Sequence, residues 1–374
     1  MPYGVWVSGL VTDCMGRAGV CGGRWVRLDK EATGLEPDRR GSALQGFMVD
    51  PKPCDLPLRQ HTRGLGPALQ FLSTMGSALP ELGLRPSISN RDGDIEILGA
   101  ARAVHRFVEA PGDGGTIRWH FVEAGEGEPV VLLHGVPDSW HMWHRQIAEL
   151  AAGYRVLAID LKGCGQTEKR PGDYRPAAVA EQLVALFDVL GLDRVNLVTH
   201  DLGSVVADYL GAGHPFRVRR YARGQQHLYH FNEELPSQET IFIDPLLGPL
   251  LRVPAVVVAA AYSRLSFHPI LPSDLRRTVR EWSYPGVGAG VSRYFHSSSL
   301  RGQWLDRRRG LMDNWRFPVL ILQGEHDPIQ PAEFYVGIQG TMPDGRVQFV
   351  DAGHFFVLEN PHQAGRVIRE FLGS

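Results

Sequence analysis

Several functional classes are excluded by what this sequence has little of. Only 4 of its 374 residues are cysteine. Cys14, Cys21, Cys54 and Cys164 form no paired C-x-x-C units for zinc and are too few for a disulfide framework, so a reducing compartment is the default expectation. An excess of one charge is also missing: 39 Lys plus Arg stand against 41 Asp plus Glu, a formal net charge of −2. That balance offers no overall field to draw the chain to nucleic acid or anionic lipid. Long apolar runs are absent as well. The most apolar stretch, residues 254–262, is about half the roughly 20 residues of a membrane helix, and Asp244, Pro245, Pro249, Arg252 and Pro254 interrupt any extension upstream. The start of the chain has no basic cluster leading into an apolar segment, as a secretory signal would. The expectation is a cytoplasmic protein without stable membrane insertion, nucleic-acid partner, metal or cofactor. Its oligomeric state is not legible.

What is present is an ordinary globular composition, 43% hydrophobic and 21% charged, long enough for a large core. Residues 1–102 carry no sustained helical or strand period and read as an N-terminal extension. Within them only residues 67–79 have helix-like spacing, ended by Pro80, and Met75 could be the true start. From residue 103 short β-rich runs alternate with helix-length segments, the pattern of a mostly parallel sheet covered by helices. Strands are predicted over residues 104–108, 117–124, 130–133, 155–159, 195–199, 218–222, 319–323 and 347–350, and helices over 142–151, 177–190 and 203–213. Between residues 224 and 315 the alternation gives way to Pro, aromatics and helix-like pieces. That stretch reads as a helical cap inserted between two parts of one core, residues 103–223 and 316–374, where it would sit over the carboxyl ends of the strands.

Four motifs fall at predicted strand ends. Thr199-x-Asp201-x-Gly203 follows an apolar strand and opens a helix, the small-x-x-x-small frame of a nucleophile elbow with aspartate at its centre. Alone, such an aspartate is as readily a helix N-cap. His134-Gly135-Val136-Pro137 ends another strand in a turn that can aim a backbone N–H, or be an ordinary β-turn. Asp327 lies just beyond a third strand and His354 just beyond the next, and each alone would usually be structural. Together they run nucleophile, acid, histidine, the chain order of an α/β-hydrolase triad.

From about residue 103 onward the chain resembles α/β-hydrolases of the epoxide hydrolase and haloalkane dehalogenase group. His134-Gly135-Val136-Pro137, continued by Asp138, Ser139, Trp140 and Trp143, is similar to the H-G-x-P motif of epoxide hydrolases. Asp160 to Thr167 resembles the D-x-x-G-x-G-x-S loop, with Thr for Ser, and Thr199-His200-Asp201-Leu202-Gly203 the G-H-D-x-G elbow, with Thr199 for the usual Gly. The resemblance implies an α/β-hydrolase fold with a mostly parallel eight-stranded sheet, and a hydrolase acting on a small-molecule epoxide and water. A carboxylate needs no base to attack an sp³ carbon. Asp201 would therefore be the nucleophile, His354 the base for a water that cleaves the resulting ester, and Asp327 the acid orienting His354, with Glu325 as fallback. The backbone N–H groups of Val136 and Leu202 would hold the oxyanion, and His134, Pro137, Trp140 and His200 would line the substrate pocket.

Epoxide hydrolases use cap tyrosines to polarise the epoxide oxygen. Gly290 to Phe295 resembles the stretch carrying one of them and points to Tyr294, although Ser292 and Phe295 replace the usual Asn and Arg. The partner is expected at Tyr229, with Tyr262 as a rival that could be core. Haloalkane dehalogenases commonly carry Trp after the nucleophile, where Leu202 offers no donor; Trp140 or Trp282 could still bind halide. A tailoring enzyme using Asp201 as a base and a non-catalytic receptor that kept the pocket are compatible with the same motifs, although an intact nucleophile, acid and histidine argue against the receptor.

Overall fold

The computed structural model describes residues 86–232, 242–244 and 248–373. The helical spacing at residues 67–79 and the alternative start at Met75 lie outside them.

The sheet has nine strands, one more than the sequence pattern suggests, in the order β1-β2-β3-β5-β4-β6-β7-β8-β9. These are β1 (Ile95–Leu98), β2 (Ala101–Gly112), β3 (Gly115–Ala124), β4 (Glu128–Leu133), β5 (Tyr154–Ile159), β6 (Val195–His200), β7 (Val218–Gly224), β8 (Val319–Gly324) and β9 (Arg346–Val350). The extra strand is β1. It is four residues long, pairs only with β2 and has one fully buried side chain, Leu98, so it carries too little apolar pattern to be read from sequence. The sheet therefore begins at Ile95 rather than near residue 103. β1 to β3, and β3 with β5, pair antiparallel; every other pairing is parallel.

The inner parallel strands, β4 to β8, are buried on both faces over most of their length, which is why they read as continuous apolar runs. Along β4, Val131 and Leu133 pack towards α2 (Pro176–Val189) and α3 (Leu202–Gly213). Val130 and Leu132 pack on the opposite face with Ile147 of α1 (His144–Leu150) and Ile368 of α9 (Pro361–Leu372). Between β7 and β8 the described chain makes four helices: α4 (Pro254–Leu265), α5 (Pro272–Trp282), α6 (Val287–Ser297) and α7 (Leu300–Arg308). A four-residue α8 (Phe356–Glu359) precedes α9. No helix among the described residues is long and apolar enough to cross a membrane.

Candidate active site

β6 is buried along its whole length and turns directly into α3, with Asp201 between them. Asp201 has φ 48° and ψ −115°, a sparsely populated conformation for a residue with a side chain; such strain persists only when the surroundings enforce it. Here close packing does so. A Cβ on Gly203 would lie 2.5 Å from the carbonyl oxygen of Leu133, and one on Gly135 would lie 2.4 Å from Asp201 Cβ. Thr199, in the place of the usual glycine, fits because its hydroxyl pairs with Ser204 Oγ at 2.7 Å, which in turn donates to the Gly224 carbonyl.

The turn places the aspartate side chain among groups from three other strand ends. The Val136 N–H donates to Asp201 Oδ1 at 2.9 Å. Leu202 opens α3, so its N–H is one of the first-turn donors that a helix leaves without an internal acceptor. His354 Nε2 stands 3.9 Å from Asp201 Oδ2, and His354 Nδ1 is 2.9 Å from Asp327 Oδ2. The other Asp327 oxygen accepts from the backbone N–H of Ile329 and Gln330, fixing the carboxylate. Burial disfavours a charged His354, but the Asp327 and Asp201 carboxylates outweigh it and hold the imidazole pKa above its usual value. Glu325 is exposed and makes no bond to His354.

Further contacts position His354. Its N–H donates to the Leu265 carbonyl at the end of α4, and its carbonyl is bonded by His200 Nε2 at 2.8 Å. Glu359 accepts from the N–H groups of both Gly353 and Phe355. No local spacing in the sequence marks Glu359 for this task. One pair that the sequence does not announce also lies here. The Tyr262 hydroxyl donates to Asp138 Oδ1 at 2.5 Å, while the Tyr262 ring stacks on Phe355 with centroids 4.0 Å apart.

Other expected residues are placed differently. The Tyr294 hydroxyl donates to the Lys162 carbonyl at 2.9 Å and its ring packs edge-on to Tyr174, so these contacts are with residues 162 and 174 and not with the triad. The Tyr229 hydroxyl donates to Thr341 Oγ1 near the surface. Neither tyrosine is bonded to Asp201 or His354. Each takes the partner that the fold brings to it: the buried Tyr294 phenol the nearest carbonyl, and the half-buried Tyr229 the Thr341 hydroxyl. His134, Trp140 and His200 are wholly enclosed, as the pocket assignment did not anticipate. His134 accepts from the Leu161 N–H and bonds the Gly135 carbonyl, tying two loops together. Pro137 is buried in the turn beside them. Trp282 gives its N–H to the Leu251 carbonyl, and Trp140 Nε1 is buried without a partner among the described residues.

A family model for the alpha/beta hydrolase fold matches residues 128–222, the span that holds β4 to β7 and the strained aspartate. The chain has the α/β-hydrolase fold. Among characterised relatives, it is 27% identical over 297 residues to bifunctional epoxide hydrolase 2 of Rattus norvegicus, covering 68% of this chain and 53% of that protein. It thus spans about half the length of that relative. Among solved structures, an epoxide hydrolase mutant of Vigna radiata is 25% identical with a TM-score of 0.59, covering 75% of this chain and 98% of the other. A thermophilic esterase of Thermogutta terrifontis is also 25% identical with a TM-score of 0.59, covering 72% and 98%. Fold likeness alone therefore does not choose between acyl and alkyl chemistry; the side chain at the elbow has to.

Proposed function

We propose that the protein hydrolyses epoxides to vicinal diols through an alkyl ester on Asp201. The observation that carries this reading is an aspartate, not a serine, on the strained elbow, with one oxygen on the Val136 N–H and the other 3.9 Å from His354. The epoxide hydrolases among the relatives support it. Oδ2, the oxygen without the backbone donor, attacks the ring carbon. Oδ1 becomes the ester carbonyl oxygen, already placed for the oxyanion of the second step, with Val136 and Leu202 as its donors. The separation of 3.9 Å exceeds a hydrogen bond, which suits a histidine whose partner is a water and not the carboxylate. Asp327 holds its imidazole with Nε2 free to take that water's proton.

An esterase is disfavoured, because carboxylate attack on an acyl carbon gives a mixed anhydride. Dehalogenation is less favoured because Leu202 has no side-chain donor and the Trp282 N–H is already bonded, which leaves the Trp140 N–H as the one remaining candidate of the two.

The test is to trap the ester. His354→Gln should alkylate and then stall, its hydrolysis slowed by at least about 10²-fold, and intact-protein mass spectrometry should find an adduct of the whole epoxide mass mapping to Asp201. A haloalkane would instead add its mass less that of hydrogen halide. Turnover by the parent with no adduct in the variant would move Asp201 to a general-base role.

A further inference from the structure

The ring oxygen needs a proton as it leaves, and the hydroxyls of Tyr294 and Tyr229 are committed to Lys162 and Thr341. A different acid lies two residues from the backbone N–H that holds the nucleophile. Asp138 shares a turn with Val136, whose N–H holds Asp201, since Asp138 N–H donates to the Gly135 carbonyl at 3.1 Å. Its side chain is enclosed: Oδ1 receives the Tyr262 hydroxyl at 2.5 Å, and Oδ2 is buried with no hydrogen-bond partner among the described residues. A buried, charged carboxylate oxygen without a donor costs much more than a neutral carboxylic acid there.

We propose that Asp138, held as a carboxylic acid by its enclosure and fixed in place by Tyr262, is the catalytic acid that protonates the ring oxygen when Asp201 attacks. This assignment deepens the epoxide reading above and depends on it. As Asp201 Oδ2 bonds to the ring carbon, the ring C–O bond breaks with its electron pair on oxygen, which takes the Asp138 proton. The Asp138 carboxylate left behind accepts the Tyr262 O–H. In the second step His354 takes a proton from water as the hydroxide bonds to the ester carbon, then gives it to the departing alkoxide. The proton left on the Asp201 carboxyl returns to Asp138, so epoxide and water sum to diol with both acids restored.

The surroundings favour this role. Tyr262 from α4, Thr278 and Asp274 from α5, His354 beyond β9 and Asp201 beyond β6 are the titratable or polar groups that surround the pair. Burial raises the Asp138 carboxyl to about 7, against the Tyr262 hydrogen bond, the charge of His354 and the neighbouring Thr278 hydroxyl, with Asp201 adding to the rise. An acid poised there still carries its proton near neutrality. His354 must be neutral for the second step and its pKa is raised, so the two steps have opposite pH dependences. Alkylation falls as pH rises through about 7, while ester hydrolysis rises with pH as His354 loses its proton.

The experiment follows adduct formation by rapid quench and mass spectrometry across pH, with styrene oxide as the probe. Asp138→Asn should slow alkylation about 10²- to 10⁴-fold and lose the alkaline limb. Tyr262→Phe should move that limb to higher pH, because the lost hydrogen bond favoured the carboxylate. An Asp138→Asn rate within about threefold of the parent, with an unchanged profile, overturns the assignment. So does an unmoved limb in Tyr262→Phe, which decides the matter if the Asn variant does not fold. A large slowing in Tyr294→Phe with none in Asp138→Asn would give the role to Tyr294. Failure of His354→Gln to accumulate ester, by contrast, sinks the two-step reading itself.

Discussion

Asp138 and Tyr262 are 124 residues apart in the chain, and their pairing gives a stability prediction separate from catalysis. A carboxyl raised to about 7 from an ordinary 3.8 binds more protons folded than unfolded between those values, so it weakens the fold as pH rises through that window. Asp138→Asn should therefore gain stability relative to the parent between pH 4 and pH 8, by an amount approaching about 4 kcal/mol. Thermal melts at the two pH values check this; a difference that stays constant would mean that Asp138 keeps its charge in the fold. The same scale separates the tyrosines. The Tyr294 hydroxyl bonds a buried carbonyl, so Tyr294→Phe is expected to cost about 1 kcal/mol of stability and to leave alkylation nearly unchanged.

At the scale of elements, the helices between β7 and β8 are tied to the sheet by charge as well as by apolar packing. Asp208 of α3 accepts from Arg223 of β7 through both oxygens, at 2.9 Å each, and from Arg307 of α7 at 2.6 Å, with all three side chains fully enclosed. Removing the carboxylate would strand two buried guanidinium groups, and breaking a buried pair in this way costs about 3–5 kcal/mol. Asp208→Ala should lose that much in urea unfolding, or fail to accumulate as folded protein. The elbow is equally intolerant of volume. Gly203→Ala would force a methyl against the Leu133 and His134 carbonyls, so the turn should shift and activity fall even where the far-ultraviolet spectrum is kept.

Across the whole molecule, part of the response to acid should run through Asp160. This buried carboxylate accepts from the backbone N–H groups of Trp140 and Gln166 and pairs with His120 of β3 at 2.7 Å, joining three segments around the site. Its burial would raise the pKa, but His120, His134 and these N–H donors prevail and hold it well below the usual carboxylate range. A depressed pKa contributes stability at neutral pH that is lost as pH falls. Asp160→Asn should lower Tm at pH 7 and flatten its decline towards pH 3, as differential scanning calorimetry can show.

Apolar runs and Gly-bounded spacing were enough to place seven strands and the helices over residues 177–190 and 203–213 within a residue or two, and to find the middle of β2 but not its ends, because doubly buried strands and amphipathic helices write their burial into local composition. Asp201, Asp327 and His354 could be picked out as a candidate set because each sits at a strand end, and parallel strands carry their ends to one edge of the sheet. β1 stayed hidden, since a short edge strand buries almost nothing of its own. Tyrosine hydroxyls are a different case: where an O–H points depends on which carbonyl or carboxylate the fold delivers to it, and such partners lie 112 to 132 residues away. Only the tertiary structure could turn Tyr294 to Lys162 and Tyr262 to Asp138, because a hydrogen bond is satisfied by proximity in space and leaves no period in the sequence.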